Sequence, residues 1–210
     1  TIPPEFTEEN LVKWAEFGLR PVFLPEVEIF KDLDIPGWFK PGRWFYDQIG
    51  NGKIRADSAK LFQGWYLTDF SIGTDCTNGT QVFQDDPFSL VIASLREHEK
   101  IGKYDNTPYG SRFSITNDEW RNVVCPAIAE ELGFRPEQVR LERAIEFNAI
   151  GNLYDPNRGK FNILEWFEDI FGDSSRLSGG DCVDGGLSDV GCCGSNSRSA
   201  DIAGRPLVSF

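Results

Sequence analysis

Cysteine and histidine set the limits on the chemistry this chain can carry. The cysteines stand at 76, 125, 182, 192 and 193, and the one histidine is His98. An odd cysteine count with two adjacent is no disulfide framework, and no C-x-x-C pair offers a zinc or redox site. A single histidine excludes multi-histidine metal centres, and any Ser-His or Cys-His catalysis would have to run through His98. Among cysteine pairs only Cys192-Cys193 is close in sequence. Neighbouring side chains of an extended segment point to opposite faces, so these two thiolates cannot readily flank one metal ion. The carboxylate pairs Glu130-Glu131 and Asp85-Asp86 read as a solvated helix face and a helix start.

The adjacent cysteines lie in a tail of unusual composition. From Asp169 to Phe210 there is no Lys, Glu, Gln, Trp or Met. The first 168 residues hold 35 of these types, so even usage would put roughly nine in the last 42. Gly, Ser, Asp and Cys take their place, the composition of a flexible linker. Yet apolar residues recur at Leu177, Val183, Leu187, Val190 and Ile202, and the chain closes on Pro206-Leu207-Val208-Ser209-Phe210, which reads as a strand. A linker needs neither, so the tail is expected to be ordered, with Leu177, Leu187, Ile202 and Val208 buried.

The whole chain, tail included, reads as one globular domain spanning 1–210. Its 33 acidic residues against 21 basic give a net charge of −12, which repels phosphate backbones and anionic lipid and argues against nucleic-acid binding. No apolar run approaches the roughly 18 residues of a membrane span, so no membrane insertion is expected; nor is there an N-terminal charged-then-apolar segment. Six Trp and 17 Phe are too many for a disordered chain. Helices are predicted after Thr7, over Arg43–Ile49, from Asp86-Pro87 with Leu90, Val91 and Leu95 on one face, from the capping box Thr116–Glu119 to Gly133, and over 142–150 up to Gly151. Leu61–Phe70 reads as a strand, Asn78-Gly79 as a turn, and Leu164–Phe171 as a turn of helix.

From residue 114 onward the order of features resembles the formylglycine-generating-enzyme branch of the C-type lectin fold. Trp120 sits in a capped helix, and Arg140-Leu141-Glu142-Arg143-Ala144-Ile145-Glu146-Phe147 follows. Then come Asn162-Ile163-Leu164-Glu165-Trp166, Arg176-Leu177-Ser178-Gly179-Gly180 and Ala203-Gly204-Arg205. Departures are Glu142-Arg143 in place of Pro-Thr, and Ala203-Gly204-Arg205 in place of Gly-Phe-Arg. The resemblance implies an α+β C-type lectin fold with two principal helices, near 116–132 and 142–150, small antiparallel sheets and a loop-rich C-terminal region, with residues 1–60 as an N-terminal elaboration. Read physically, Asn162 and Glu165 should orient the chain around Trp166, the carboxylate accepting buried backbone N–H groups. Gly179-Gly180 should allow a close backbone approach or supply positive φ. Arg205 should anchor the last strand on Glu146 or Glu165.

Within that fold the tail is similar to the variable region of diversity-generating-retroelement variable proteins. There, adenine-directed mutagenesis of AAC or AAT codons reaches 15 residue types and cannot encode Lys, Glu, Gln, Trp or Met. The resemblance implies a ligand-binding protein, not an enzyme, with a hypervariable surface over residues 176–210 directed at protein or other surface targets. Gly179, Gly180, Gly185, Gly186, Leu187, Arg205 and Pro206 would be scaffold. The ligand-facing set would be Asp181, Cys182, Val183, Asp184, Asp189, Gly191, Cys192, Cys193, Ser195, Asn196, Ser197, Arg198, Ser199 and Asp201, and of these Asp181, Asp189, Cys192, Cys193, Ser195, Asn196 and Arg198 should lie on one contiguous exposed face. With Arg198 as its lone hot-spot residue type, this copy is expected to bind weakly. No cofactor and no metal are expected. Display on a cell or virion surface is implied by the family, while free cysteines suit a cytoplasmic setting equally. The alternatives are a formylglycine-generating, copper-dependent oxidase using Cys192 and Cys193, and a calcium-dependent carbohydrate-binding lectin, which wants Glu-Pro-Asn-like and Trp-Asn-Asp-like tripeptides that do not occur.

Overall fold

The computed structural model describes residues 1–210, 30% helical and 20% in strands, as an α+β arrangement. Thr7 caps α1 (Glu8–Glu16) by accepting the Asn10 N–H. Next come β1 (Leu19–Leu24), β2 (Val27–Glu28), α2 (Arg43–Gly50), β3 (Lys60–Leu61) and β4 (Gly64–Asp69). The single strand expected over Leu61–Phe70 is therefore two, because β3 pairs with β2 while β4 pairs with β1.

α3 (Ser89–Glu97) begins later than Asp86-Pro87. Its inward stripe is Phe88, Ile92 and Arg96 rather than one containing Leu90, which is 85% exposed. Arg96 selects that face. Its guanidinium donates to the carbonyls of Gly102, Pro108, Tyr109, Ser111 and Phe113, wrapping the following loop over the helix.

The Thr116–Glu119 capping box forms as predicted and opens α4 (Asn117–Glu119). A π turn over Trp120–Val124 joins it to α5 (Cys125–Leu132), with the Cys125 N–H reaching back to the Trp120 carbonyl. Pro126 accounts for the widened turn, since it has no N–H for the carbonyl four residues back and its ring would crowd that oxygen. Gly133, at φ +78°, ends the run.

After β5 (Val139–Leu141), α6 (Ala144–Leu153) passes through Gly151 instead of stopping there. Gly151 is a place of close approach, since a Cβ would collide with the Leu187 side chain. Leu164–Phe171 is a strand, β6, not a turn of helix: Trp166 and Phe167 point to opposite faces and each joins a different core. β7 (Ser175–Gly179), β8 (Val190–Gly194), β9 (Ile202–Ala203) and β10 (Pro206–Ser209) complete the chain.

One sheet runs β1-β4-β10-β5 and is antiparallel throughout. The other runs β8-β7-β6-β9, and its β6–β9 pair is parallel, an exception to the antiparallel expectation. The largest core gathers Trp120, Ile128, Leu141, Trp166 and Val208. A second lies between α6 and the first sheet, and a third holds Phe45, Phe147, Phe167 and Leu177. Residues 1–60 are built into all three through Trp14, Leu24 and Phe45. No helix is long and apolar enough to cross a membrane.

Candidate functional site

The tail is tied down by buried charge. Arg205 Nε donates to both oxygens of Glu165 at 2.9 Å, and its Nη1 donates to the carbonyl of Ser71 at 2.7 Å. Of the two carboxylates expected for Arg205, Glu165 is the partner; Glu146 is held by Arg140 and Arg143. Glu165 therefore does not serve backbone N–H groups, and Trp166 is fixed instead by its indole N–H donating to the Ile115 carbonyl at 3.0 Å. Asn162, with its amide nitrogen turned toward the tail, donates to the Asp181 carboxylate at 2.9 Å.

Beside this pair lies a network that no local spacing announces. Arg112, fully buried, bridges Asp69 and Asp86, so Asp86 is an ion-pair partner as well as a turn former. Burial would raise the Asp69 carboxyl, but Arg112 and Arg205 outweigh it and hold the group at about 2. Arg158 reaches Glu142 and the Thr68 hydroxyl in the same buried layer.

From these fixed points the tail emerges in two excursions. Gly179 and Gly180 satisfy both roles foreseen for the pair: a Cβ on Gly179 would strike the Asp189 carbonyl, and Gly180 adopts φ +100° against the Phe147 ring. The loop 181–189 follows, then edge strand β8, then the turn 195–201. Leu177, Ile202 and Val208 are buried as expected, whereas Leu187 is only half-buried on α6.

The predicted ligand-facing residues do not share one exposed face. Cys182, Val183, Asp184, Asn196 and Ser197 are exposed; the other nine are half-buried. The two exposed tips flank β8 in the chain, and the strand itself runs about 13 Å at roughly 3.3 Å per residue. Between them Cys192 packs on the Phe45–Phe167–Leu177 core and Cys193 on the Trp120–Trp166 core, because both faces of this sheet are covered. Burial, and then the neighbouring Cys193, push the Cys192 thiol up.

Several of the half-buried members have structural partners. Arg198 forks onto Glu119 at 2.8 and 2.7 Å and also donates to the Ser114 carbonyl, which removes it as a free ligand anchor. Asp189 accepts the Asp181 N–H at 3.1 Å, and burial raises its carboxyl. Asp181 in turn accepts the Val183 N–H at 2.8 Å. Ser195 donates to Asp118 at 2.9 Å, and Ser199 to Asp201. Gly191 lies within β8, opposite Ser178.

The loop borders a cleft of about 500 Å³, lined by Cys182 and Leu187 from the loop and by Phe39, Asn152, Pro156 and Lys160 from the scaffold. That volume lies within the usual range for ligand pockets. Sequence reasoning missed the cleft, since Phe39 and Lys160 carry no motif.

No family model and no curated protein matches the chain. Among solved structures, CarF is similar. Its crystal structure aligns with a TM-score of 0.50 at 9% identity, covering 91% of this chain and 98% of that one. At that identity the likeness bears on fold alone. What the site itself offers is a pinned framework with a few open side chains, a cleft bordered by one of its loops, and two cysteines committed to different cores.

Proposed function

We propose that this protein is a ligand-binding scaffold of C-type lectin type, and that its tail carries exchangeable contact residues in the manner of diversity-generating-retroelement variable proteins. The observation that carries the reading is the alternation along the tail. Buried anchors at Leu177, Ile202, Arg205, Leu207 and Val208 flank two tips whose side chains make few contacts. A framework of this kind tolerates exchange at the tips, because exposed substitutions shift stability by about half a kcal/mol or less. The absence of Lys, Glu, Gln, Trp and Met after Asp169 supports adenine-limited codons as the source of the exchange. The contact set is narrower than composition implies and centres on Cys182, Val183, Asp184, Asn196 and Ser197, with Cys182 also lining the cleft. The partner is a macromolecule, most simply a protein surface. An oxidase built on Cys192 and Cys193 is disfavoured by their packing against separate cores.

The test is a combinatorial library at the five exposed positions, displayed and selected against unrelated protein targets. Most members should melt within about 2 °C of the parent, and members carrying Tyr should include new binders. Arg198→Ala, by contrast, should lower the melting temperature clearly, because it strands Glu119 and the Ser114 carbonyl. Widespread unfolding of the library would sink the proposal, as would encoding DNA with no second copy of this segment differing at adenines.

A further inference from the structure

Four arginines, Arg55, Arg121, Arg143 and Arg176, converge on a recess of about 270 Å³ beside β6 and β7, in a chain whose net charge is −12. Three carboxylates face it, and each is already engaged. Asp57 takes both ends of Arg55, at 3.0 and 2.7 Å. Glu168 takes Arg121 at 3.0 Å through one oxygen, and its other oxygen is buried without a hydrogen-bond partner. Asp169 is buried and accepts the Ala144 N–H at 2.7 Å. Arg143 is spent on Glu146 and on the carbonyls of Asp57 and Lys60.

Arg176 is the cation left over. It makes no ion pair, and its hydrogen bonding is a single donation to the Glu168 carbonyl at 3.2 Å, from a group with five N–H donors. Burial, and next the neighbouring Arg121, press its guanidinium below the usual range, a direction that an incoming anion would reverse. The rim of the recess is apolar: Phe62 and Ile170 are each 43% exposed, and the Arg143 guanidinium already lies 4.8 Å from the Phe62 ring centroid. The overall negative charge does not forbid binding here, since exposed charges are screened beyond roughly 8–10 Å at physiological salt.

We propose that this recess binds an organic oxyanion, a carboxylate or phosphate head held by Arg176 and Arg121 with its apolar body against Phe62 and Ile170. Guanidinium groups suit such heads because they donate two parallel N–H bonds. The site is independent of the tail tips, so it stands or falls apart from the display reading.

The experiment is calorimetric titration of the full chain with benzoate, phenyl phosphate and inorganic phosphate. At least one aryl probe should bind at one per chain and more tightly than inorganic phosphate, and the better of the two identifies the head group. Arg176→Gln should weaken it at least tenfold, Arg176→Lys less, and the distant Arg135→Gln not at all. If Arg176→Gln fails to fold, Arg121→Gln should show the same loss. Absence of saturable aryl binding, binding that survives these changes, or inorganic phosphate binding as tightly as the aryl probes would overturn the proposal.

Discussion

Glu142 and Glu146 flank the start of α6, both 1% exposed, yet the fold drives them in opposite directions. For each, burial is the largest influence and raises the carboxyl. Around Glu146 it is outweighed by the Arg140 fork at 2.7 and 2.8 Å, by Arg143 and by the Arg143 N–H, which together hold the group at about 2. Glu142 has Arg158 and the Thr68 hydroxyl but also Glu165 nearby, and it rises to about 7. The consequences for stability are opposite in sign. Glu146 contributes stability that is present above its ordinary value of 4.5 and is lost as pH falls through about 2. Glu142 contributes stability that is present below 4.5 and is lost as pH rises through about 7. Glu142→Gln, which is neutral at every pH, should therefore destabilise less at pH 8 than at pH 5. Urea unfolding at the two pH values checks this, and an equal or larger cost at pH 8 would refute it. The Glu142 environment was not legible in the sequence, because Thr68, Arg158 and Glu165 come from separate stretches of chain, whereas Arg140 and Arg143 lie within six residues of Glu146. Arg198 was misread for the same reason as Glu142, its partner Glu119 lying 79 positions away.

Elements announced by local chemistry were readable. Thr7 and Thr116 each place a hydroxyl three residues before an orphan N–H, so α1 and the α4–α5 run could be placed from the sequence. β6 could not. Leu164, Trp166, Phe167, Ile170 and Phe171 fit a helical stripe as well as a strand covered on both faces, and only pairing with β7 and β9 decides between them. Gly151 looked like a stop because the side chain it makes room for, Leu187, lies 36 residues away. Gly204 is a glycine of the same kind, and it carries the prediction at this scale. A Cβ there would sit 2.6 and 2.8 Å from ring atoms of Trp120, which is fully buried. Gly204→Ala should cost at least about 2 kcal/mol, near the upper range for overpacking and far above an ordinary surface substitution. Chemical denaturation measures it; a change below half a kcal/mol would mean that Trp120 can yield.

In the whole molecule, the compositionally odd tail ends as a structural keystone. β10 enters the first sheet between β4 and β5, so the last strand made is central rather than peripheral. Ile202, Leu207 and Val208 are at most 1% exposed. Burying each contributes about 1.5–3 kcal/mol. Losing Arg205 would also leave Glu165 as an unpaired buried charge, at about 3–5 kcal/mol. Together these are comparable with the 5–15 kcal/mol that holds a whole domain. A chain ending at Asp201 should therefore show no cooperative melt, although it lacks only nine residues and retains every helix. In the intact protein, amides of Leu207 and Val208 should exchange only on global unfolding, while the Asn196 amide exchanges rapidly and the turn-bonded amides of Val183, Asp184 and Ser197 exchange by local opening. Both measurements bear on one physical claim, that variation at the two tips is affordable because the strand following them is locked. A truncated chain that still melts cooperatively near the parent temperature would break that link, as would uniform exchange protection from 181 to 209.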